Sequence, residues 1–256
     1  MITFHRVGTW LDRLLGLALA GALLMALITA WPGQALAAER VEGSGTAATE
    51  QRPVTAFTAV QTQGLKVQVR QGPVAQVVVT ADANLLPLLE TVVENNRHGQ
   101  TLVLRWKSNT SIRPRVAPLV QVTAVELKTL VVSGSGDIVA DELKLGALAA
   151  RVEGSGDVRL NGLQAESLTL AVAGSGDIVA SGQAARLSAS IAGSGDIKTA
   201  ALRADDVSIS IAGSGDADLQ AQRTLAVKIA GSGDVRYTGA ATVQRSIAGS
   251  GSVRQY

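Results

Sequence analysis

Over the second half of the chain, apolar and polar residues alternate in short runs that restart at a nearly fixed interval. Leu168, Leu170 and Val172 form one run, Val207, Ile209 and Ile211 another, and Leu225, Val227 and Ile229 a third. A period of two is that of a strand with one buried face. Two residues after each run comes Gly-Ser-Gly, and beyond it the alternation resumes at Ile138, Val158, Ile178, Ile197, Val235 and Val253, with Arg159, Lys198, Asp218 and Arg236 at outward places. Each copy therefore reads as a strand, a glycine corner and a second strand. A third apolar position at Leu143, Leu163 and Leu202 gives way to Gln183 and Gln222 at what the spacing makes equivalent places, so a third side is weakly specified.

The corners begin at Gly134, Gly154, Gly174, Gly193, Gly213, Gly231 and Gly249, at intervals of 20, 20, 19, 20, 18 and 18 residues. Such a period marks a solenoid, in which no unit buries its apolar face alone and each stacks on its neighbours. The pattern predicts an all-β fold, a right-handed parallel β-helix with repeats of 18–20 residues and an N-terminal β-rich cap. Coils about 4.8 Å apart would raise seven corners through roughly 34 Å. Propeller blades need about 40 residues each, which excludes that alternative. An aromatic content of 3% agrees with a core of stacked aliphatic side chains.

Two glycines at a corner permit positive φ and close backbone approach. The serine hydroxyl is placed to bond along the stack, and the Asp to accept a backbone N–H across the bend, as in an Asx-turn. Six corners end in Asp, so Asp137, Asp157, Asp177, Asp196, Asp216 and Asp234 form a column, which ends at Ser252. Like charges at coil spacing repel by about 0.9 kcal/mol per neighbouring pair even in water. The column must be solvated, hydrogen-bonded or bridged by cations, and calcium suits carboxylate oxygens. One carboxylate per coil is few for a calcium site, and calcium-binding Gly-Gly-x-Gly-x-Asp repeats have half this period. The structural role is therefore the expectation, with a calcium column as its alternative and no other cofactor.

The sequence divides into a signal peptide at 1–37, a flexible leader at 38–53, a β-rich cap continuous with the solenoid at 54–118, and the Gly-Ser-Gly-Asp repeat β-helix at 119–256. His5, Arg6 and Arg13 precede an apolar run from Leu14 to Ala30, and Ala35-Leu36-Ala37 supplies the small residues of a cleavage site. An uncleaved anchor is the alternative; either way the repeats are expected outside the cytoplasm, in the periplasm, cell envelope or extracellular space. In the cap, Phe57 to Val60, Leu65 to Arg70, Val74 to Thr80 and Thr101 to Lys107 read as strands, Asn84 to Glu94 as a short helix or turn, and 108–118 as a loop. Lys and Arg (23) nearly balance Asp and Glu (21) and are scattered, which argues against nucleic acid; no membrane contact is expected beyond the signal segment. The absence of cysteine removes disulfides and thiolate metal sites.

Val41-Glu42-Gly43-Ser44-Gly45, then Arg52-Pro53-Val54-Thr55-Ala56-Phe57, Val67-Gln68-Val69-Arg70-Gln71-Gly72 and Ala81-Asp82-Ala83-Asn84-Leu85-Leu86, followed by the repeated Gly-Ser-Gly-Asp, resemble the head GIN domain family of auto-transporter adhesins over about residues 41–256. The resemblance implies an exported bacterial β-helical protein with an adhesive or envelope role. It supplies no catalytic residues, and no segment here matches a translocator barrel with aromatic girdles.

An active site would need clustered groups. Besides the column itself, Asp205-Asp206, Asp141-Glu142 and the column's Asp216 with Asp218 are the local carboxylate pairs, and each reads as solvated surface. His98, beside Gly99, has no evident partner, and no Ser-His-Asp set assembles. No catalytic residue is assigned. The leading expectation is a non-enzymatic envelope protein, an adhesin or binding scaffold whose faces meet an envelope or surface ligand, protein or glycan. A calcium-dependent surface module and a polysaccharide-active enzyme are the alternatives. In the last copy Arg245 stands at an inward position, where a charge opposes further stacking.

Overall fold

The computed structural model describes residues 39–256, and strands with no α-helix run through them. The first part holds β1 (Glu39–Glu42), β2 (Ala47–Arg52), β3 (Ala59–Gln63), β4 (Lys66–Gln71), β5 (Gln76–Asp82), β6 (Leu89–Asn96), β7 (Gly99–Trp106), β8 (Thr110–Arg113) and β9 (Leu119–Ala124). The repeats hold β10 (Thr129–Gly134), β11 (Asp137–Asp141), β12 (Lys144–Gly154), β13 (Val158–Gly174), β14 (Ile178–Gly193), β15 (Ile197–Gly213), β16 (Ala217–Gly231), β17 (Val235–Thr238), β18 (Thr242–Gly249) and β19 (Val253–Gln255). The expected signal peptide, cleavage after Ala37 and the apolar run before it lie outside the described residues.

The repeats pair in parallel, each strand with its copy about one period away, and form a β-solenoid of about six turns. Two faces extend its length. One runs β6–β7–β3–β10–β12–β13–β14–β15–β16–β18 and the other β2–β5–β9–β4–β11–β13–β14–β15–β16–β17–β19. The long strands β13 to β16 bend at the third side and serve both faces. Inward residues stack in register: Val79, Val120, Val67, Ile138, Val158 and Ile178 form successive rungs of one ladder, each fully buried. Aliphatic burial of this kind, worth about 1.5–3 kcal/mol per side chain relative to exposure, holds the coils together.

The order of that ladder shows how the solenoid is closed at its N-terminal end. In space β3–β4 lie between β7–β9 and β10–β11, although the chain makes them first. The chain lays down the second coil, returns outward through β5 and β6 to build the terminal one, then crosses back to continue. β6 on β7, and β5 on β9, are antiparallel and cover the end of the parallel stack.

The segment expected as a flexible leader, 38–53, is structured over its described part: β1 pairs with β8 and β2 with β5. Its partners are remote in sequence, so its short polar run carries no local sign of pairing. The loop expected at 108–118 contains β8 for the same reason. The stretch 84–94, read as helix or turn, is one 3-10 turn at Leu86–Leu88 leading into β6, whose alternation is masked by Pro87 and Asn95-Asn96. On the third side, the pairing sets Gly182, not Gln183, between Leu163 and Leu202. The next inward places are Ala184, Ala204 and Ala221, all buried, so this side is specified by small residues.

Candidate functional site

The corner column is built mostly from backbone. From Gly154 onward the first glycine of each corner has φ between 132° and 144°, and a Cβ on the second glycine would overlap the carbonyl oxygen of its counterpart one coil back. The carbonyl of Gly134 accepts N–H groups from Ser155 (2.8 Å) and Gly156 (3.0 Å), and that of Gly154 from Ser175 (2.9 Å) and Gly176 (3.1 Å). Sharing one acceptor between two donors leaves the next carbonyl-to-N–H match displaced. The Asp side chain restores it: Oδ1 of Asp137 accepts the N–H of Asp157 at 3.2 Å, and the same bond recurs from Asp177 to Asp157 (3.1 Å), Asp196 to Asp177 (2.9 Å), Asp216 to Asp196 (2.9 Å) and Asp234 to Asp216 (2.8 Å). Ser252 ends the series by donating both its N–H and its hydroxyl to Asp234, at 2.8 Å each.

Two expectations are corrected here. The carboxylate accepts from the following coil and not across its own bend, because the bend's own N–H groups are taken by the glycine carbonyl. The serine hydroxyls do not bond along the stack: those of Ser155, Ser175, Ser194, Ser214 and Ser232 are exposed and make no hydrogen bond among the described residues.

Charge along the half-buried column is offset locally. Lys198 Nζ lies 2.8 Å from Asp177 and 3.3 Å from Asp196, and Arg159 lies 3.5 Å from Asp157. Burial pushes the Asp177 carboxyl up, but the Lys198 ammonium and the Asp196 N–H outweigh it and hold it below its ordinary value. Bonds from Ser252 hold Asp234 down likewise. Among the described residues no three His, Cys, Asp or Glu side chains converge as a metal cluster would. Asp137, Asp157, Asp177, Asp196, Asp216 and Asp234 stand one to a coil, and each Oδ1 already accepts a backbone N–H.

The other sequence-marked groups are dispersed. Asp206 is bound by Arg223 and by Thr224 (2.8 Å), which hold its carboxyl below the usual range, while Asp218 meets Arg236 at 2.7 Å and Asp141 meets Asn161 at 2.8 Å. His98 Nε2 accepts from Arg97 at 3.0 Å, and partial burial with the charges of Arg97 and Arg151 pushes its pKa down. Arg245 pairs in register with Val227 and is exposed.

A polar centre that composition did not reveal is Asp82. It is fully buried and accepts N–H groups from Gly45 (2.6 Å), Arg115 (3.0 Å) and Val116 (3.0 Å), so one carboxylate joins the β1–β2 turn to the segment after β8. Burial raises its pKa, yet the bonds from Val116, Gly45 and Arg115 prevail and the net direction is down. Nearby, Arg52 donates to the carbonyls of Leu86 and Leu89 and fastens β2 across the 3-10 turn. The Gly43-Ser44-Gly45 signature ahead of an Asp ending the alternation Val77, Val79, Ala81 was the available signal.

On the third side the small inward residues leave a trough of about 660 Å³. Leu145, Ala165 and Ala184 form its floor. Lys144, Gln164, Gln183 and Arg203, stacked in register, form one wall, and Glu166 and Asp205 stand on the other.

These features define a capped parallel β-solenoid whose charged corners are used for stacking and whose long lateral faces are open. The chain belongs to the family described as putative auto-transporter adhesin, head GIN domain, whose model matches residues 56–241. A putative lipid binding protein from Parabacteroides distasonis is 28% identical, with 85% of this chain and 100% of that one aligned at a TM-score of 0.73. A putative adhesin from Bacteroides fragilis shares the fold at 21% identity and a TM-score of 0.75, over 84% and 100% of the two chains. A second Parabacteroides distasonis structure, described as a putative adhesin, is 25% identical over 85% and 100% of the two chains, with a TM-score of 0.69. No curated protein matches the chain.

Proposed function

We propose that this is an exported, non-enzymatic binding protein of the cell envelope, which presents the lateral faces of its solenoid to a surface or envelope ligand. The observation that carries the reading is how the reactive side chains are used. The Asp column is bonded to backbone N–H groups, Asp206 and Asp218 are paired with arginines, and His98 is bonded to Arg97, so the carboxylates of the column, these two aspartates and the histidine are engaged one at a time in different places. The family description and the relatives described as adhesins or as lipid binding support a binding role. Cell fractionation, followed by binding of the purified protein to isolated envelopes, tests it. Recovery in the cytosol, or measurable turnover of a polysaccharide by the purified protein, overturns it.

A further inference from the structure

The trough is lined by polar groups that have no partner among the described residues. Among the described residues Lys144 Nζ, Arg203, Glu166 and Asp205 make no ion pair, and the Gln164 and Gln183 amides make no hydrogen bond, while Arg223 binds the adjoining Asp206 and, further along the stack, Arg236 binds Asp218. The two walls differ in chemistry. The four stacked side chains Lys144, Gln164, Gln183 and Arg203 all carry N–H donors, and the facing carboxylates of Glu166 and Asp205 only accept.

A ligand in this trough must accept hydrogen bonds along one edge and donate them along the other. Two cations and two carboxylates cancel, so the walls attract neither a polyanion nor a polycation at long range. Hydroxyl groups meet both demands, because each both donates and accepts. The trough follows the solenoid axis across four coils, and its wall positions are two residues apart on a strand, roughly 7 Å, which admits one chain in width. A pyranose advances a linear glycan by a length close to the coil spacing of about 4.8 Å, so one sugar can meet one rung. Between the walls Leu145 and Ala165 are only partly buried, and their exposed carbon suits the C–H face of a sugar ring.

We infer that this trough binds a linear, uncharged polysaccharide laid along the solenoid axis, with the donor wall reading one hydroxyl edge and Glu166 and Asp205 the other. The inference rests on the binding role proposed above and gives it a site and a ligand class. No aromatic platform lines the trough, so a single oligosaccharide binds weakly and a polymer, by spanning several contacts, binds better.

Isothermal titration of the purified protein with cellohexaose, laminarihexaose and chitohexaose, beside oligogalacturonate and chitosan oligomers as charged controls, tests this. Binding of at least one neutral hexasaccharide, unchanged between low and high salt, is expected. Gln164→Ala with Gln183→Ala weakens it about tenfold or more, while Arg236→Ala, outside the trough, leaves it unchanged and controls for folding. Failure of all neutral hexasaccharides to bind, steep salt dependence with preference for a charged oligomer, or equal binding by the double glutamine variant overturns the site. If the protein still binds isolated envelopes while every neutral glycan fails, the trough assignment falls and the broader binding role stands.

Discussion

The cap and the repeats solve one problem in opposite ways. Both must satisfy backbone N–H groups where the chain leaves a ladder, and both use Asp carboxylates to do so. In the repeats the task is divided: each of five Asp residues accepts a single N–H from the Asp of the next coil, in a half-buried column open to water on one side. At the cap it is concentrated, with Asp82 taking three N–H groups in full burial. A periodic structure can spread a polar cost over many equal sites. A terminal coil has no equivalent neighbour and must use one strong acceptor.

The largest effect is expected from the feature the repeats cannot share out, the approach of one backbone to the next. In Gly195→Ala the new Cβ would meet the carbonyl oxygen of Gly176, a backbone atom that moves only if the coils part. A loss of at least about 3 kcal/mol is expected. Ser194→Ala in the same corner alters an exposed hydroxyl and should be neutral. Urea unfolding followed by circular dichroism compares the two, and equal midpoints would remove the backbone explanation of the corner.

Asp82→Asn ranks next. The amide keeps one oxygen but has no charge, and its N–H₂ faces donors that need an acceptor. A fall in Tm on the order of 5–10 °C is expected, along with faster proteolysis within residues 39–52. The wild-type carboxyl lies below its unfolded value of 3.8. Its contribution is therefore complete above about pH 4 and is lost as pH falls through the lowered folded value. The titratable neighbours are Glu42 and Arg115, which pair at 3.6 Å in exposed positions. Thermal melts between pH 7 and pH 2 should show a steep acid loss that the Asn variant lacks in part; parallel curves for the two proteins would assign the acid limb to other carboxyls, such as Asp177, Asp206 and Asp234, which are lowered too.

Legibility follows the same division. Where one physical rule repeats, as in Leu168-Leu170-Val172 and the glycine corners, the strands, their parallel stacking and the inward ladder could be read directly, because each copy supplies the pattern again. The chemical identity of the corner could be read, but the partner of each Asp could not: one bend in isolation offers its own N–H groups, and only the stacked coils show that a glycine carbonyl has already taken them. The crossing of β3–β4 between the terminal coil and the repeats is set by pairing over long sequence separations, for which residues such as Val67 and Val120 carry no local mark. The trough escaped for a related reason. Gln183 falls one place beyond Gly182 because that period is shortened, and reading it as an inward residue hid the small floor that Ala165 and Ala184 create.

The smallest effect concerns calcium, and it separates a bonded column from a coordinating one. In the column each Oδ1 accepts an N–H, and Lys198 already lies between Asp177 and Asp196. A calcium ion needs six to eight oxygens, so binding would have to break these bonds or draw on water for most of its shell. Millimolar calcium, or a chelator, is therefore expected to leave the Tm within about 1 °C, since a ligand stabilises appreciably only where its concentration exceeds its Kd, and then as the logarithm of their ratio. Lys198→Ala sharpens the test by removing the cation that the metal would replace. If calcium raises the Tm of that variant by several degrees and leaves the wild type unmoved, the column is a latent cation site held closed by lysine; if it raises both, the division of labour between N–H groups and carboxylates described for the repeats is wrong.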